Sequence, residues 1–379
     1  MNEYFLTCPR GLEEVTSNDI DSHIKGKSKP EKGGVSFSGN QEDLYRINLY
    51  SRTGMYLLKK LFEFKAKNIN SIYNEVLKYK WSNILDSTKT FAIRTKMKSD
   101  FFDNSGYLTL KIKDAIVDRV RKDTGKRPSI DKIKSNFKIF VIIKDDNIKI
   151  YLDSSGRPLF MRGYRAKIHK ASLNECLAAG LVLLSNWDKK KSFYDPMCGS
   201  GTIPIEAAMI AYNIPPGILR KIYGFQLWPD YDSKLWYKVL KESREKIKKD
   251  SEIKISGSDM FKRNIDLSIA SAKKINLDNF ISFSMKDIIN TENEFKDGVV
   301  IMNPPYGIRL GSEKELEILY KTIGDTLKNK FIDCDAYIFT HNKNLAKCVG
   351  LRTKRKIILK NGQLDCRLLY YPIRGGTYS

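Results

Sequence analysis

The amino-acid sequence predicts an α/β protein: a parallel sheet with an antiparallel last strand, preceded by an α+β region. In the second half, short apolar runs alternate with helical stretches, and most of these runs end in a carboxylate or amide side chain. They are KSFYD (191–195), KISGSD (254–259), ISFSMKD (281–287), GVVIMNP (298–304) and DAYIFT (335–340). Runs that are apolar on both faces and separated by helices are typical of a parallel sheet that helices cover on both sides.

The end of the chain predicts the antiparallel part of this sheet. In KRKIILKNGQLDCRLLYYPI, Asn361-Gly362 joins two β-rich runs. Asn-Gly between such runs is the strongest short-range hairpin signal, because both residues tolerate positive φ. The sequence therefore predicts a final hairpin that adds antiparallel strands to the sheet.

The first half mixes short strands with helices. MNEYFLTCP and GGVSFSG predict strands around a helix that starts near Gly11, and KTFAIRTKM and FKIFVIIKDDNIKIYLDSS predict strands on either side of a helix over 107–123. The run VIIKDDNIKIYL alternates about 145–147, which predicts a hairpin. Turn and basic residues replace the apolar pattern over 153–172, and 212–250 is interpreted as an insertion with a charged helix at its end.

Composition gives three further expectations. The chain of 379 residues carries 67 Lys and Arg against 44 Asp and Glu, a net charge of +23 that is spread along its length and favours a nucleic-acid partner. No apolar run approaches the roughly 18 residues of a membrane span, and the N-terminus lacks a secretory pattern. Six scattered cysteines and three histidines predict neither a metal site nor disulfides, which suits a cytoplasmic protein.

Four polar residues terminate the apolar runs of the second half: Asp195, Asp259, Asp287 and Asn303. Each alone could be an ordinary turn residue at the end of a strand. In open α/β sheets, however, ligands bind beyond the carboxyl ends of the strands. Together the four residues predict a ligand crevice at one edge of the sheet.

The glycine-rich run DPMCGSGT (195–202) predicts the kind of ligand. Its glycines let the backbone turn tightly, but no lysine follows them and the third glycine of a dinucleotide loop is missing, so a triphosphate or dinucleotide is not expected. A carboxylate beside a glycine loop suits a ligand with a positive amino group, such as S-adenosylmethionine (AdoMet). Asp259 would then hold the ribose hydroxyls. Asp287 would reach the adenine amine, or alternatively cap the following turn.

The run NPPY (303–306) predicts the chemistry. Two prolines fix the backbone and remove two N–H donors, so the side-chain oxygen of Asn303 and the neighbouring carbonyls form a rigid group of acceptors. Such acceptors match the two N–H groups of an exocyclic amine on a nucleobase. Tyr306 would stack on a base taken out of its helix. Positioning would supply most of the catalysis.

DPMCGSGT and NPPYG together resemble the AdoMet-dependent class I amino-methyltransferases. LFMRGYR, NECLAAGLVLLS and MIAYNIPPG resemble the narrower group of THUMP-domain RNA methyltransferases, whose bacterial members include guanine-N2 methyltransferases of 23S rRNA. The resemblance implies a ferredoxin-like domain over 1–55, a THUMP RNA-binding domain over 56–155, a linker over 156–172 and a Rossmann-like class I methyltransferase domain over 173–379. No second catalytic motif follows, so a form with a single methyltransferase domain is expected.

The resemblance also assigns residues. It implies catalytic roles for Asn303, Pro304, Pro305 and Tyr306, and AdoMet contacts for Leu173, Asn174, Asp195, Pro196, Met197, Cys198, Gly199, Ser200, Gly201, Thr202, Asp259, Met260, Asp287 and Ile288. The segment 170–175 would close over the methionine end of the cofactor. Candidate RNA contacts are Arg157, Arg162, Arg165, Lys170 and Arg309.

These expectations converge on an RNA methyltransferase that acts on guanine N2 of 23S rRNA or of its precursor particle, without a metal or a membrane; the oligomeric state is left open. Three alternatives remain. One is an adenine amine in DNA, although no duplex-reading motif is evident. The others are guanine N2 in tRNA, and a non-catalytic rRNA-binding assembly factor that keeps a relic cofactor site.

Overall fold

A computed structural model describes residues 1–86, 88–166, 173–248, 253–292, 297–306 and 312–375. The first half forms one eight-stranded sheet with helices on it. Its elements are β1 (Asn2–Thr7), α1 (Glu13–Asp21), β2 (Lys29–Glu31), β3 (Gly34–Gly39), α2 (Gln41–Tyr50), β4 (Tyr56–Lys65), α3 (Ile69–Lys78), β5 (Thr90–Lys98), α4 (Ser105–Thr124), β6 (Ser129–Ile130), β7 (Phe137–Lys144) and β8 (Asn147–Asp153).

The strand order of this sheet is β2-β3-β1-β4-β8-β7-β5-β6. Strand β4 pairs antiparallel with β1 on one side and with β8 on the other. The predicted ferredoxin-like and THUMP parts therefore share a continuous sheet. The hairpin predicted about 145–147 is present, with Lys144 paired to Asn147 across a two-residue turn.

The helix predicted over 107–123 is α4, which begins two residues earlier. The side chain of Asn104 accepts a hydrogen bond from the backbone N–H of Tyr107 at 2.9 Å, so the helix starts at this cap. It ends at Thr124, and the following Gly125 has a φ of 71°, in the left-handed region that glycine adopts without strain. Buried side chains that include Leu108 and Ile112 pack this helix into the core of the first half.

The second half forms a seven-stranded sheet. Its elements are α5 (Glu175–Leu184), β9 (Ser192–Asp195), α6 (Thr202–Ala211), α7 (Ser233–Glu245), β10 (Ile255–Asp259), α8 (Lys262–Lys273), β11 (Ile281–Met285), β12 (Gly298–Met302), α9 (Glu313–Lys330), β13 (Asp335–Thr340), α10 (Lys343–Cys348), β14 (Arg355–Asn361) and β15 (Leu364–Pro372). Apolar clusters bury both faces, one with α5, α6 and α8 and the other with α9 and α10.

The order β11-β10-β9-β12-β13-β15-β14 confirms the predicted fold class, with β9 to β13 parallel and β15 antiparallel to β13. The final hairpin differs from the prediction in one detail. Asn361 pairs with Leu364, so Gly362 and Gln363 form the turn and Gly362 alone has positive φ, at 60°. Asn361 is thus the last residue of β14 rather than a turn residue.

The insertion over 212–250 packs against the first half. Its helix α7 buries Trp236 and Val239 in the core of the eight-stranded sheet. Tyr45 of α2 contacts Trp236 edge to face, and its hydroxyl accepts a hydrogen bond from the N–H of Asp232 at 2.9 Å. This segment therefore fastens the two halves of the molecule together. In the described part of the chain, no helix combines the length and apolar character needed to cross a membrane.

Candidate active site

The polar strand ends predicted from the sequence meet at one edge of the second sheet. Asp195 and Asp259 are the last residues of β9 and β10, and Asn303 directly follows β12. The parallel registers of β10 and β12 on either side of β9 bring these ends together. Because the chain winds outward from β9 in one direction and returns at β12 on its other side, this edge is the topological switch point where α/β sheets bind ligands.

Asp195 lies at the centre of this edge. It is 1% exposed, and its carboxylate accepts a hydrogen bond from the backbone N–H of Met197 at 3.0 Å. Burial raises the pKa of Asp195 well above its usual value, and the negative charge of Asp259 adds to this rise. A buried carboxylate of this kind is stabilised when a cationic group binds beside it.

The loop after Asp195 is held by backbone contacts. The N–H of Cys198 donates to the carbonyl of Ser258 on β10 at 2.8 Å. Gly201 has a φ of 76°, and a Cβ there would lie 2.9 Å from the side chain of Ser268, so only glycine fits. Gly199 has a φ of 56°, and a Cβ there would meet nothing within 4 Å, which leaves open space over the loop.

Asp259 is oriented by three donors. Its carboxylate accepts hydrogen bonds from the backbone N–H groups of Gly199 and Phe261, both at 3.0 Å, and from the side-chain amide of Asn264 at 2.9 Å. Neither Asn264 nor Ser268 was predicted from the sequence; the hydroxyl of Ser268 donates to the carbonyl of Gly199 at 3.0 Å. For Asn264 a signal existed, since it is a polar residue in the first turn of α8, shortly after the strand-end Asp259.

Asp287 and Ile288 lie beyond β11. The carboxylate of Asp287 accepts a hydrogen bond from the backbone N–H of Ile289 at 3.1 Å and caps a short 3₁₀ turn, which is the alternative role considered for it. Ile288 is 4% exposed and packs with Tyr194 in the apolar cluster under α9. The contact of Asp287 with the adenine amine stays a prediction.

The start of α5 is fixed by Asn174 and Arg165. Asn174 caps the helix, since its side chain accepts a hydrogen bond from the N–H of Leu177 at 2.8 Å, while Leu173 is buried. The guanidinium of Arg165 donates to the carboxylate of Glu175 at 2.7 Å and to the carbonyl of Leu173. Arg165 therefore anchors this segment instead of projecting into solvent.

The structure corrects one predicted RNA contact. Arg162 is 1% exposed and pairs with Glu206 of α6, which is 0% exposed, so the prediction that it contacts RNA is wrong. A buried guanidinium cannot reach a phosphate on the surface. Arg157 is exposed, as an RNA contact requires. Lys170 and Arg309 lie outside the described residues.

Asn303 presents an acceptor without a donor. Its side-chain oxygen is buried, and among the described residues no hydrogen-bond donor reaches it. Pro304, the second residue after β12, is buried, while Pro305 and Tyr306 are half-buried. An unsatisfied buried acceptor is costly unless a ligand supplies the missing donor.

The hydroxyl of Tyr306 is bound by a residue of the edge strand β14. The side-chain amide of Asn361 donates a hydrogen bond to the hydroxyl of Tyr306 at 3.1 Å. Burial raises the pKa of Tyr306, so the phenol remains neutral at physiological pH. Asn361 was recognised from the sequence only as a turn residue, because nothing local signals a contact with a residue so far away in the chain.

We expect Asn361→Ala to lower methyl transfer without changing AdoMet affinity, because the tyrosine ring loses the donor that fixes its hydroxyl. One hydrogen bond contributes about 0.5–1.5 kcal/mol net, so the rate of methyl transfer should fall severalfold to about tenfold. Single-turnover kinetics with Asn361→Ala, Tyr306→Phe and the double variant test this. Gln363→Ala, in the exposed turn beside it, is the control. Fully additive losses in the double variant would contradict the coupling.

We expect Asp195→Asn to weaken AdoMet binding while it increases the stability of the protein at higher pH. The amide cannot pair with a positive amino group, so AdoMet affinity should fall by about tenfold or more, the value of a charge-assisted hydrogen bond. Because burial raises the pKa of Asp195 above its unfolded value, the native protein holds this proton more tightly than the unfolded chain. Ionisation of Asp195 therefore lowers stability as pH rises, and the amide avoids this loss.

Titration calorimetry and urea denaturation between pH 5 and pH 8 measure both effects. The free energy of unfolding of Asp195→Asn relative to the wild type should rise across this range, whereas that of Asp100→Asn, at an exposed position, should not change. An AdoMet affinity equal to that of the wild type would remove Asp195 from the cofactor site.

The described residues fit AdoMet. Two carboxylates end adjacent strands, one buried and one pre-oriented by three donors, and the glycine loop between them leaves open space. These groups suit an amino group and ribose hydroxyls. The loop offers no lysine for a phosphate, in keeping with a cofactor that has none.

Three family models match the chain. Residues 162–370 match a model described as "RMKL-like, methyltransferase domain", residues 66–153 a THUMP domain, and residues 3–55 the RlmL ferredoxin-like domain. Together these matches run from residue 3 to residue 370 with short gaps. The methyltransferase model alone covers more than half of the chain.

Relatives match over nearly the whole chain. The protein slr0064 of Synechocystis sp., which carries the provisional name of an RNA methyltransferase, is 35% identical over 98% of this chain and 96% of its own length. The "Ribosomal RNA large subunit methyltransferase K/L" of Vibrio cholerae is 36% identical over 98% of this chain but only 53% of its own length. The chain thus spans about half the length of the K/L proteins.

A solved structure has the same fold over nearly the whole chain. The crystal structure of SMU.472, in complex with SAH, is 29% identical and superposes with a TM-score of 0.88 over 99% of both chains. The bound SAH is the demethylated product of AdoMet. On these matches and on the geometry of its strand-end site, the chain belongs to the family of RMKL-like, AdoMet-dependent methyltransferases that carry THUMP and ferredoxin-like domains.

Proposed function

We propose that the chain is an RNA methyltransferase of the cytoplasm that places a methyl group on the exocyclic N2 of a guanine in 23S rRNA. The observation that carries the proposal is the buried side-chain oxygen of Asn303, which has no donor among the described residues. It lies at the carboxyl end of β12, on the ligand-binding edge of the sheet and close in sequence to Tyr306. An exocyclic NH2 supplies the donor that this oxygen lacks.

The chain's own residues would act mainly by positioning. The lone pair of a guanine amine is delocalised into the ring, so the nitrogen is a poor nucleophile. Acceptance of its N–H bonds by Asn303 and by the carbonyl of Pro304 would hold the amine and direct its lone pair, while Tyr306 would stack on the flipped base. Bound AdoMet would supply the electrophilic methyl group.

Three observations support RNA as the substrate. The chain contains a THUMP domain match and has a net charge of +23, which favours a polyanion. The name of slr0064 refers to RNA, and that of the Vibrio cholerae relative refers to large-subunit ribosomal RNA. The proposal of 23S rRNA follows the second of these names. The acceptor group at Asn303 supports an exocyclic amine as the target, and guanine N2 among such amines follows the resemblance described above.

Methyl transfer from labelled AdoMet to three pools tests the proposal: unmodified 23S rRNA, unmodified tRNA and unmethylated DNA, each digested to nucleosides and identified by mass. N2-methylguanosine from 23S rRNA is the expected product. The same nucleoside from tRNA alone would change the substrate, and methyladenine from DNA would also overturn the role of the first half. Transfer to none of them, and none to precursor particles, would indicate a binding protein.

A further inference from the structure

A cleft lies at the edge of the eight-stranded sheet, far from the methyl-transfer site in the chain. Strand β6 pairs with β5 only through Ser129 and Ile130, opposite Thr90 and Phe91. From Ala92 onward, no strand in the described part of the chain pairs with this edge of β5. The cleft that opens here has a volume of about 320 Å³, at the lower end of the size range of small-ligand sites.

The walls of the cleft are apolar and aromatic. Its lining includes Phe140 of β7, Tyr56 of β4, Leu110 of α4 and Ile130 of β6. Leu110 is 54% exposed and Ile130 is 40% exposed, so both present apolar surface to whatever enters. Apolar surfaces of this kind are where a planar ring stacks.

Basic side chains complete the cleft. Its lining includes Arg94, Lys113, Lys132 and Lys138, and no carboxylate is among the described residues that line it. The guanidinium carbon of Arg94 lies 5.6 Å from the ring centroids of both Tyr56 and Phe140, and the guanidinium donates to the hydroxyl of Tyr56 at 3.3 Å. Arg94 is thus held at the boundary between the aromatic wall and the solvent.

These features select a ligand that is flat at one end and anionic at the other. A lipid chain or an apolar peptide would gain nothing from four cations, and the backbone of an RNA duplex would not reach the stacking wall. An unpaired nucleotide satisfies both halves of the cleft, with its base on the apolar wall and its phosphate beside the cations.

We propose that this cleft binds one unpaired nucleotide of the RNA substrate, at a position separate from the base that is methylated. The base lies against Leu110 and the aromatic side chains of the lining, and its phosphate lies beside Arg94 and Lys132. The proposal rests on the proposed function in taking RNA as the partner. It deepens that function by giving the first half a defined recognition point instead of a general attraction to phosphates.

Fluorescence anisotropy of the full chain with fluorescein-labelled heptauridine tests the cleft. Arg94→Ala and Leu110→Glu should each weaken binding by roughly fivefold to a hundredfold, the range for losing one stacked base. The matched controls are Lys122→Ala, on the same helix roughly 18 Å further along at 1.5 Å per residue, and Tyr237→Glu on α7, which is 68% exposed and does not line the cleft. Each control should change affinity by less than about twofold.

A second probe locates the contact. Heptauridine that carries one 4-thiouridine should crosslink to peptides from β4, β5 or α4, and a blunt RNA duplex should compete poorly. Wild-type affinity in both cleft variants, crosslinks only elsewhere, equal competition by the duplex, or no binding of heptauridine by the wild type would each overturn the proposal. Heptauridine binding without methyl transfer to any RNA would refute the proposed function but would still support the nucleotide site in the cleft.

Discussion

Asn303→Ala is expected to abolish most methyl transfer while AdoMet affinity remains at the wild-type level. The side-chain oxygen of Asn303 is the acceptor that the site leaves unsatisfied, and no described donor occupies it. Removing one preorganised polar group that acts on the reacting atoms typically lowers kcat by about a hundredfold to a thousandfold. Single-turnover methylation of 23S rRNA with saturating AdoMet measures the loss.

Two further variants sharpen this test. Asn303→Asp retains an acceptor oxygen at the same place and should keep more activity than Asn303→Ala. Asn74→Ala, at an exposed position in α3, should behave as the wild type. Equal turnover in Asn303→Ala and the wild type would refute the acceptor mechanism. A parallel loss of AdoMet affinity would assign Asn303 to the cofactor instead.

Arg162→Met is expected to cause a large loss of stability. The guanidinium nitrogen of Arg162 lies 3.5 Å from the carboxylate of Glu206, and it also donates to the carbonyl of Leu159 at 2.8 Å and to that of Arg52. The methionine leaves Glu206 charged and without its partner in the interior. Breaking one side of a buried ion pair costs about 3–5 kcal/mol. Urea denaturation measures it.

Glu206→Gln and the double variant complete a thermodynamic cycle with Arg162→Met. The double variant should lose less stability than the two single variants together, because it no longer buries an unpaired charge. Arg157→Ala, at the exposed arginine of the same segment, is the matched control and should stay within about 0.5 kcal/mol of the wild type. A loss below about 1 kcal/mol in Arg162→Met would show that the pair is not structurally important.

The strand ends of the second half were predictable because the signal is local. An apolar run that ends in a polar side chain, as at Asp195 or Asp259, marks both the strand and the edge at which it ends. The final antiparallel hairpin followed from a second local signal, Asn361-Gly362, whereas the order of the strands in the sheet was not predicted. Pairwise contacts across the sheet were not predictable, since the donor to Tyr306 comes from Asn361 at the end of a different strand.

Arg162 shows why the RNA contacts were harder to predict. In the sequence it stands among turn residues and basic residues, as an exposed arginine would. Its burial depends on Glu206 of α6 and on the carbonyl of Arg52 in the first half, which only the packed structure brings together. Basic residues can be counted from a sequence, but whether each one is exposed or buried depends on tertiary packing.

The contacts between the two halves of the molecule fix the distance between their surfaces. Helix α7 buries Trp236 beneath the eight-stranded sheet, and Arg162 ties the carbonyl of Arg52 to Glu206. The distance between the surface of the first half and Asn303 is therefore set by the protein. If the first half holds the RNA as proposed, we expect target choice to depend on this distance, so that the methylated base would be the one that the fold of the RNA places beside Asn303.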